Sequence, residues 1–402
     1  MKEKMQSIQE SERIQSIDIL RGFSILGIFF VNMPAFFSPV YYYNPATYWK
    51  STSDKFLNGI VDFFAQASFY PLFAFLFGYG AIILAKRLRI KELSFPIYFS
   101  RRLVILLLFG CIHAFVLWHG DILITYAICG FFFLLFWKCK GKTLLLTGIL
   151  IYVFVYGTMI FGIAAIEKFD DSASMLASLK NTQAIESSLQ VYSNGSFTEI
   201  FSHRFNDWYL VNGPSNLWLL VSAILPLIMI GAGFAKQKWL ENVKVHNKLL
   251  VSLSIFSFIG GVVCKLLPFF NGKLPYTRML IQDYFGGPLL ALFYITIIVL
   301  LVENRRIYTV LKPFSYVGRM SISNYLLQSL VCTTIFYSYG LGLYGQISFT
   351  MGFCLVILLY SLQMFASKWW LKTYKFGPVE YIWRWGTYGH KPSMKKRAER
   401  EN

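Results

Sequence analysis

Charged side chains are scarce in this 402-residue chain. Asp, Glu, Lys and Arg together make up 14% of the residues, whereas a soluble globular protein carries roughly 25%. Apolar residues fill 56% of the sequence and stand in long, almost unbroken runs such as 144–166 and 289–302. Because about 20 mostly apolar residues cross the hydrocarbon core of a bilayer, this composition excludes an ordinary soluble enzyme. It predicts an all-α, polytopic transmembrane helical bundle.

The short motifs of several enzyme classes are also missing. The chain has no glycine-rich phosphate loop followed by Lys-Ser/Thr, no His-Glu-x-x-His and no Gly-x-Ser-x-Gly nucleophile elbow. The six cysteines lie in or beside apolar runs, and their spacing fits neither a zinc site nor a secreted disulfide framework. We therefore expect no nucleotide hydrolysis within the chain, no metal site and no tightly bound cofactor.

Acidic residues are outnumbered, with 20 Asp and Glu against 38 Lys and Arg, and the formal net charge is +18 at pH 7. The basic residues collect in alternate connections between the apolar runs, above all in 86–102 and in the C-terminal tail. By the positive-inside rule, this pattern places both termini in the cytoplasm. The expected partner of the charge is the lipid bilayer of the cell membrane, with no role in nucleic-acid binding. We predict ten spans, at 17–37, 57–85, 102–119, 121–137, 143–166, 216–235, 249–270, 285–302, 321–339 and 347–367.

The chain divides into an N-terminal membrane half (1–235), a C-terminal membrane half (236–392) and a basic tail (393–402). The one large polar segment is 168–215, on the outer side by this topology. A connection of this length is usually functional or disordered. Its aromatic residues predict that it folds back on the outer surface as a cap.

A cluster of ionisable and polar side chains lies at the outer edge of one apolar stretch. An ionisable group within a membrane span is costly and marks a functional site by default. His113 and His119 are six residues apart, so they point to different sides of one helix and are not expected to share a metal. Gly120 predicts a tight turn, with Asp121 capping the next span and Tyr126 about one turn inside it. His113 suits a general base, although a packing histidine and a purely capping aspartate are the simpler alternatives.

Two further carboxylates stand in the first two spans. Asp18 and Arg21 are three residues apart and share a helix face at the cytoplasmic end, with Asn32 further along the same span. They form either a salt bridge that fixes the topology or, through the arginine fork, a site for a phosphate or carboxylate. Asp62 stands in the unusually long second span, which Pro71 is expected to kink. Asp62 either lines a cavity or reaches out to the outer interface.

The C-terminal half offers two polar patterns. Ser321, Asn324 and Gln328 form one stripe of a helix, which either joins neighbouring helices by hydrogen bonds or lines a ligand cavity. In the tail, Glu380 and Arg384 stand four apart in a short tryptophan-containing helix that begins after a Gly-Pro pair. This helix is expected to lie at the inner membrane interface, as an anchor or as part of a cavity.

Taken together, these patterns resemble the YeiB/YxaH-like family of bacterial membrane proteins, whose C-terminal half is called domain of unknown function four-one-eight. The resemblance covers nearly the whole chain. The residues that carry it are Arg13-x4-Asp18-x-x-Arg21-Gly22 with Asn32, Leu76-Phe77-Gly78-x-Gly80, Arg101-Arg102, His113 with Trp118-x-Gly120-Asp121-Ile122-Leu123-x-x-Tyr126-Ala127, Gly318-Arg319-Met320 with Asn324-Tyr325 and Gln328, and Gly377-Pro378-x-Glu380-x-x-Trp383-Arg384. His119 falls at a variable position of the family pattern, which favours His113 as the reactive residue.

This family is distantly similar to a wider group of membrane acyltransferases, which move an acyl group from cytosolic acyl-CoA to an envelope acceptor at the outer face. The resemblance implies that His113 deprotonates the acceptor or carries the acyl group. Asp121 would orient the imidazole or the acceptor, and Tyr126 would donate a hydrogen bond.

The same resemblance implies that acyl-CoA is the donor substrate. Arg21, Arg101, Arg102 and Arg319 would hold its diphosphate, and its pantetheine arm would pass between Asn32 and Asn324. Two other functions stay open at this point. One is a transporter or permease of a small polar or anionic solute, in which Asp121 and Asp62 relay protons. The other is a non-catalytic scaffold for a cell-envelope complex.

Overall fold

The computed structural model of the chain describes residues 14–43, 48–169, 181–270 and 274–396. Within these ranges the only β pairing is a single bridge between Tyr374 and Lys395. The helices are α1 (Gln15–Phe37), α2 (Thr52–Phe64), α3 (Phe69–Ile90), α4 (Phe95–Ile112), α5 (Leu123–Phe133), α6 (Gly141–Phe169), α7 (Thr182–Asn194), α8 (Phe197–Asn212), α9 (Pro214–Gln237), α10 (Val243–Leu266), α11 (Pro275–Ile281), α12 (Gly287–Val302), α13 (Arg305–Arg319), α14 (Ser321–Phe336), α15 (Phe349–Thr373) and α16 (Pro378–Tyr388). The prediction of a polytopic helical bundle is confirmed. Arg13 and the end of the basic tail lie outside the described residues.

Eight helical stretches of the described chain are long and apolar enough to cross a membrane. They correspond to all the expected spans except the fourth and the ninth. These two are the shorter helices α5, with 11 residues, and α14, with 16. At 1.5 Å per residue, α5 is about 17 Å long and does not cross the bilayer core by itself. The chain continues from α5 through turns at 134–138.

The long second span is broken, but not where its proline predicted. The helix ends at Phe64 and resumes at Phe69, and between them Ala67 takes a left-handed φ of 55°. Pro71 lies in the first turn of α3, where a missing backbone N–H costs nothing. The prediction of a kink at Pro71 was therefore wrong. The break exposes backbone carbonyls, and the buried Lys265 donates from Nζ to one of them, the carbonyl of Gln66, at 2.7 Å.

Two glycines let α1 and α13 pack backbone to backbone. A Cβ atom on Gly318 would lie 1.9 Å from the carbonyl oxygen of Asp18, and one on Gly22 would lie 1.9 Å from that of Phe314. Small residues allow such close approach between membrane helices. The contact brings the acidic and basic residues at the start of α1 beside Arg319 at the end of α13.

Helices α7 and α8 belong to the polar segment 168–215, of which 170–180 lies outside the described residues. Helix α8 packs against residues 113–117 at the end of α4. Arg204, which is fully buried, donates from Nη1 to the carbonyl of Phe115 at 3.1 Å and also to that of Val116. The segment thus covers the outer end of α4 and supplies hydrogen-bond donors to its last carbonyls.

The two membrane halves pack against each other. Helix α1 of the N-terminal half contacts α13, α14 and α15 of the C-terminal half. At the edge of the bundle predicted to face the cytoplasm, α16 packs on α4: the indole of Trp383 donates to the carbonyl of Arg102 at 2.8 Å. The guanidinium of Arg102 in turn lies 3.5 Å from the centre of the Trp383 ring. These contacts fix the direction of Arg102 towards the bundle interior.

Candidate functional site

His113 stands where α4 changes its helical form. Residues His113–Leu117 form a π-helical turn, closed by a hydrogen bond of 2.7 Å from the backbone N–H of Trp118 to the carbonyl of His113. Residues 118–122 then reverse the chain into α5. The reversal brings the Oδ1 atom of Asp121 to 2.8 Å from Nδ1 of His113. The other carboxylate oxygen of Asp121 accepts from the backbone N–H of Ile124 at 2.8 Å, at the start of α5.

A serine completes the surroundings of the imidazole. The Oγ atom of Ser329, in α14, lies 2.8 Å from Nε2 of His113, and the side chains of Ser329, His113 and Asp121 are all buried. An ionised carboxylate can only accept, so Nδ1 carries a proton, and in the neutral imidazole Nε2 is then the acceptor for the serine hydroxyl. This is the order of groups found in Ser-His-Asp triads.

The sequence did not single out Ser329. It is separated from His113 by 216 positions, and it stands in a helix with other polar residues. One signal was its spacing of four from Tyr325, because both side chains then face the same neighbour. Tyr325 indeed reaches the same turn, where its hydroxyl donates to the carbonyl of Gly120 at 3.0 Å.

A cavity of about 370 Å³ opens beside this site on the outer side of the bundle. Polar groups that line it include Asp121 and Tyr325, together with Asn32 from α1 and Asp283 from the π-helical turn Gln282–Gly286. Asn32 was expected at a cavity wall, whereas Asp283 was not foreseen. Much of the remaining lining is aromatic, including Trp118. A polar molecule in this cavity would lie next to the carboxylate that orients His113.

A second cavity, of about 380 Å³, lies at the side of the bundle where the basic residues collect, which is the cytoplasmic side by the predicted topology. Its acidic lining residues are Asp18 and Glu380. Its basic lining residues are Arg21, Arg87, Lys91, Arg102, Arg319 and Arg384. Arg21 donates from Nη1 to Oδ1 of Asp18 at 3.2 Å, as expected for a pair on one helix face. Arg87 and Lys91 had been counted only as topology charges, because the sequence does not distinguish a cavity wall from a loop.

The two cavities approach each other at α5. Thr125 lines the outer cavity and Tyr126 lines the inner one. The hydroxyl of Tyr126 donates to the carbonyl of Tyr70 at 2.8 Å, and Tyr70 belongs to the outer lining. Tyr126 was expected to donate a hydrogen bond at the reactive site, but its acceptor is this backbone carbonyl and not His113 or Asp121. Thr125 and Tyr126 are consecutive residues of α5 and point to different sides of the helix. Thr125 therefore faces the outer cavity, and Tyr126 faces the inner one.

The side chains of Asn324 and Gln328 join two helices of the C-terminal half. The side-chain amide of Asn324 donates to Oγ of Ser367 at 3.0 Å, and that of Gln328 donates to Oε1 of Gln363 at 2.9 Å. Both acceptors belong to α15, and neither amide lines the two cavities. Of the two uses that the sequence left open, hydrogen bonding between helices is the one observed, and the alternative that these residues line a cavity was wrong.

Arg101 and Asp62 also lie apart from the cavities. Arg101 is exposed, and its guanidinium lies 5.7 Å from the centre of the Tyr98 ring. It faces away from Arg102 because consecutive residues point about 100° apart on a helix. Oδ2 of Asp62 accepts from the amide of Gln282 at 2.6 Å and lines neither cavity. Arg101 therefore does not share the inner cavity with Arg102, and the expected cavity position of Asp62 is not found in either of the two cavities.

Glu380 reaches across from α16 to the start of α14. Its Oε1 accepts from the backbone N–H groups of Ile322 at 2.8 Å and Ser323 at 3.1 Å, and its Oε2 accepts from the hydroxyl of Ser323 at 2.5 Å. Burial raises the pKa of Glu380, although these hydrogen bonds act in the opposite direction. Beside it, Arg384 lies 4.2 Å from the centre of the Phe376 ring. Glu380 thus caps α14 at the wall of the inner cavity.

His119 belongs to a separate buried cluster under the cap. Its Nδ1 lies 3.4 Å from the hydroxyl of Tyr192, which donates to Oδ2 of Asp207 at 2.6 Å. The hydroxyl of Tyr42 donates to the other oxygen of Asp207 at 2.5 Å. Burial lowers the pKa of His119 to about 4, even though the nearby Asp207 acts to raise it. His119 is therefore neutral and part of the contact between cap and bundle, away from the imidazole of His113.

Comparison with known proteins places the chain in a family. Residues 234–390 match the family described as "Protein of unknown function (DUF418)". The chain is 36% identical over 399 residues to "Uncharacterized protein YxaH" of Bacillus subtilis (strain 168), with 96% of each chain covered. It is 28% identical over 393 residues to "Uncharacterized protein YeiB" of Escherichia coli (strain K12), with 93% of this chain and 96% of that protein covered. The chain therefore belongs to the YxaH/YeiB-like family, as a multi-pass membrane protein.

Proposed function

We propose that this protein is an acyltransferase of the cell membrane, which passes an acyl group from cytosolic acyl-CoA to an acceptor in the outer cavity. One observation carries the proposal. An imidazole held between a carboxylate and a hydroxyl, at 2.8 Å from each, lies beside the outer cavity, while the cavity at the opposite end is lined by six basic side chains.

The inner cavity has the chemistry expected of a phosphate site. Its six basic side chains outnumber the two acidic ones, and five of the six are arginines. Arginine binds phosphate through two parallel hydrogen bonds. Arg102 is already oriented by its stacking on Trp383, so binding would cost it little conformational entropy. These groups suit the diphosphate of a CoA donor.

The outer site has the chemistry expected for activating a hydroxyl or amine. A neutral imidazole with Nδ1–H directed at a carboxylate can accept a proton at Nε2. The carboxylate of Asp121 would then stabilise the imidazolium that forms. The acyl group would reach this site past the hydrogen bond between Tyr126 and the carbonyl of Tyr70, which lies between the cavities.

Binding of acyl-CoA to the purified protein in lipid nanodiscs tests the donor half. Arg102→Gln is expected to weaken binding of acetyl-CoA by about 10- to 100-fold, since a hydrogen bond to a charged group contributes about 1.5–3 kcal/mol. Arg101→Gln is the matched control, because Arg101 is the adjacent residue but is exposed and outside the cavity. Equal effects of the two changes, or no binding of acetyl-CoA or longer acyl-CoAs by the wild type, would refute the proposal.

Two cavities on opposite sides of one bundle also suit a transporter of a small anionic solute, which is the second candidate. Cavities that open alternately are the general device of secondary transporters. Asp121 and Asp283 line the outer one and would be the groups that bind protons. Uptake of labelled phosphate into proteoliposomes that contain no acyl-CoA, with loss of uptake in Asp121→Asn, would favour this function over acyl transfer.

A further inference from the structure

We infer that Ser329 carries the acyl group as a covalent ester between the two halves of the transfer. This inference rests on the proposed function, and it adds a nucleophile to it. Its starting observation is the distance of 2.8 Å between the Ser329 hydroxyl and Nε2 of His113, with Asp121 at 2.8 Å from Nδ1 of the same ring.

The direction of the Ser329 hydroxyl is unusual for a membrane helix. Such serines ordinarily donate to the carbonyl four residues earlier, as Ser24 does to Leu20 at 2.7 Å and Ser361 does to Ile357 at 2.7 Å. For Ser329 the corresponding oxygen, on Tyr325, is 3.5 Å away. Of the two acceptors within reach of its hydroxyl, Nε2 of His113 at 2.8 Å is much the closer, and in the neutral ring this nitrogen can remove the proton.

The cap provides a serine–histidine pair for comparison. Oγ of Ser188 lies 2.9 Å from Nε2 of His203. The nearest carboxylate oxygen, on Asp207, is 3.9 Å from that same nitrogen, so it does not hold the opposite side of the ring. Only at His113 does a carboxylate fix the proton on Nδ1 and leave Nε2 as a base, among the hydrogen bonds of the described residues.

The chemistry proceeds in two steps. In the first, Oγ of Ser329 attacks the thioester carbon and its proton moves to Nε2 of His113. The new O–C bond forms, the C–S bond breaks, and His113 passes the proton to the leaving CoA thiolate. In the second, the acceptor hydroxyl or amine attacks the ester carbon and gives its proton to His113. The O–C bond to Ser329 breaks, and the proton returns to the serine oxygen.

An ester on Ser329 would let one site serve both sides of the membrane. The donor would enter from the inner cavity and the acceptor from the outer one. Ser329 and His113 themselves line neither cavity, whereas Asp121 lines the outer one, and Tyr126 and Tyr70 lie between the two cavities. With a covalent intermediate, donor and acceptor need not be bound together. The two cavities therefore never have to be open to each other, and the barrier to ions is kept during turnover.

The experiment detects the ester directly. Purified protein in nanodiscs is incubated without acceptor, separately with acetyl-CoA and with p-nitrophenyl acetate, and its peptides are analysed by mass spectrometry. We expect one acetyl group on the peptide containing Ser329, absent in Ser329→Ala and in His113→Gln and retained in Ser188→Ala. Ser329→Cys should carry the acetyl group as a thioester, which neutral hydroxylamine removes, whereas the serine ester resists it.

The outcomes separate this inference from the proposed function. Transfer from acetyl-CoA by Ser329→Ala at the wild-type rate would overturn the ester and leave the acyltransferase standing. Acetylation of Ser329 by p-nitrophenyl acetate, without binding of any acyl-CoA, would support the nucleophile and refute the CoA donor. Absence of the acetyl group with both reagents overturns the inference. If it is right, Ser329→Ala lowers transfer by about a thousandfold or more, with acetyl-CoA binding unchanged.

Discussion

Replacing Asp121 by Asn is expected to move the proton on the His113 ring from Nδ1 to Nε2. The carboxylate of Asp121 accepts two hydrogen bonds, from Nδ1 of His113 and from the backbone N–H of Ile124, each at 2.8 Å. An asparagine has one oxygen and one NH₂ group at the same two places. If the NH₂ group faces Ile124, it opposes the backbone N–H of Ile124, and this buried donor loses its partner. If it faces the ring, Nδ1 must become an acceptor.

The second arrangement is favoured, because a buried donor without a partner costs about 1–3 kcal/mol. In it, Nε2 carries the proton and donates to Ser329. The one free lone pair of the ring, on Nδ1, then faces the asparagine and cannot accept a proton from the hydroxyl of Ser329. In Ser-His-Asp proteases the same change lowers kcat by about 10⁴-fold through the wrong tautomer. We expect a loss of similar size in acyl transfer. In Asp121→Asn the amide oxygen still caps the start of α5, so the melting temperature should change by about 4 °C or less.

The tautomer can be measured without knowing the substrate. In ¹⁵N-histidine-labelled protein in nanodiscs, the ring signals of His113 are those lost in His113→Gln. The protonated nitrogen should be Nδ1 in the wild type and Nε2 in Asp121→Asn. Asp207→Asn, which removes the carboxylate beside His119, should leave the His113 signals unchanged. A proton retained on Nδ1 in Asp121→Asn, or transfer at near the wild-type rate, would show that this hydrogen-bond scheme is wrong.

Three further changes test the packing around the site. Glu380→Ala removes an acceptor of three hydrogen bonds at the start of α14. It should lower the free energy of unfolding by about 2–4 kcal/mol, and Glu380→Gln should lower it by less. Thermal unfolding in detergent measures both changes. Gly318→Ala should lower the melting temperature, because its Cβ would meet a carbonyl oxygen of α1 at 1.9 Å, whereas Gly59→Ala, with open space around it, should not. His119 is neutral in the fold, with a pKa of about 4 against 6.5. The unfolded chain therefore binds more protons as the pH falls from 6.5 to 4, which should cost about 3 kcal/mol of stability, and His119→Gln should remove this pH dependence from unfolding curves.

The sequence predicts those parts of the fold that depend on one segment at a time. Runs of apolar residues locate the eight long spans because crossing a bilayer requires a minimum length. The break at 65–68 could not be located in this way. Pro71 suggested a kink at its own position, but the carbonyls freed by the break are satisfied by Lys265, about 200 residues away along the chain. A helix end inside a membrane protein depends on such distant donors.

In the candidate site, too, the sequence predicts the features that depend on one segment and not the contacts between distant segments. The turn at Gly120 followed from local sequence, and so did the position of Asp121 at the start of the next helix. The contact of His113 with Ser329 did not, because it joins residues 216 positions apart. For Asn324 and Gln328 the sequence left two uses open, and the amide acceptors on α15 decided between them. Pattern alone cannot tell a hydrogen bond between helices from a cavity wall, since both need a polar residue that faces inward.

The cap formed by α7 and α8 stabilises the end of α4, where His113 and Asp121 meet. In an unbroken helix, His113 and Asp121 would lie eight residues apart, about 12 Å along the axis. The π-helical turn and the reversal bring them to 2.8 Å but expose backbone carbonyls within the bundle. Arg204 of the cap donates to the carbonyls of Phe115 and Val116, and Tyr325 donates to that of Gly120. The outer segment is thus part of the structure that positions His113, because its arginine donates to the carbonyls of Phe115 and Val116 in the turn that follows His113.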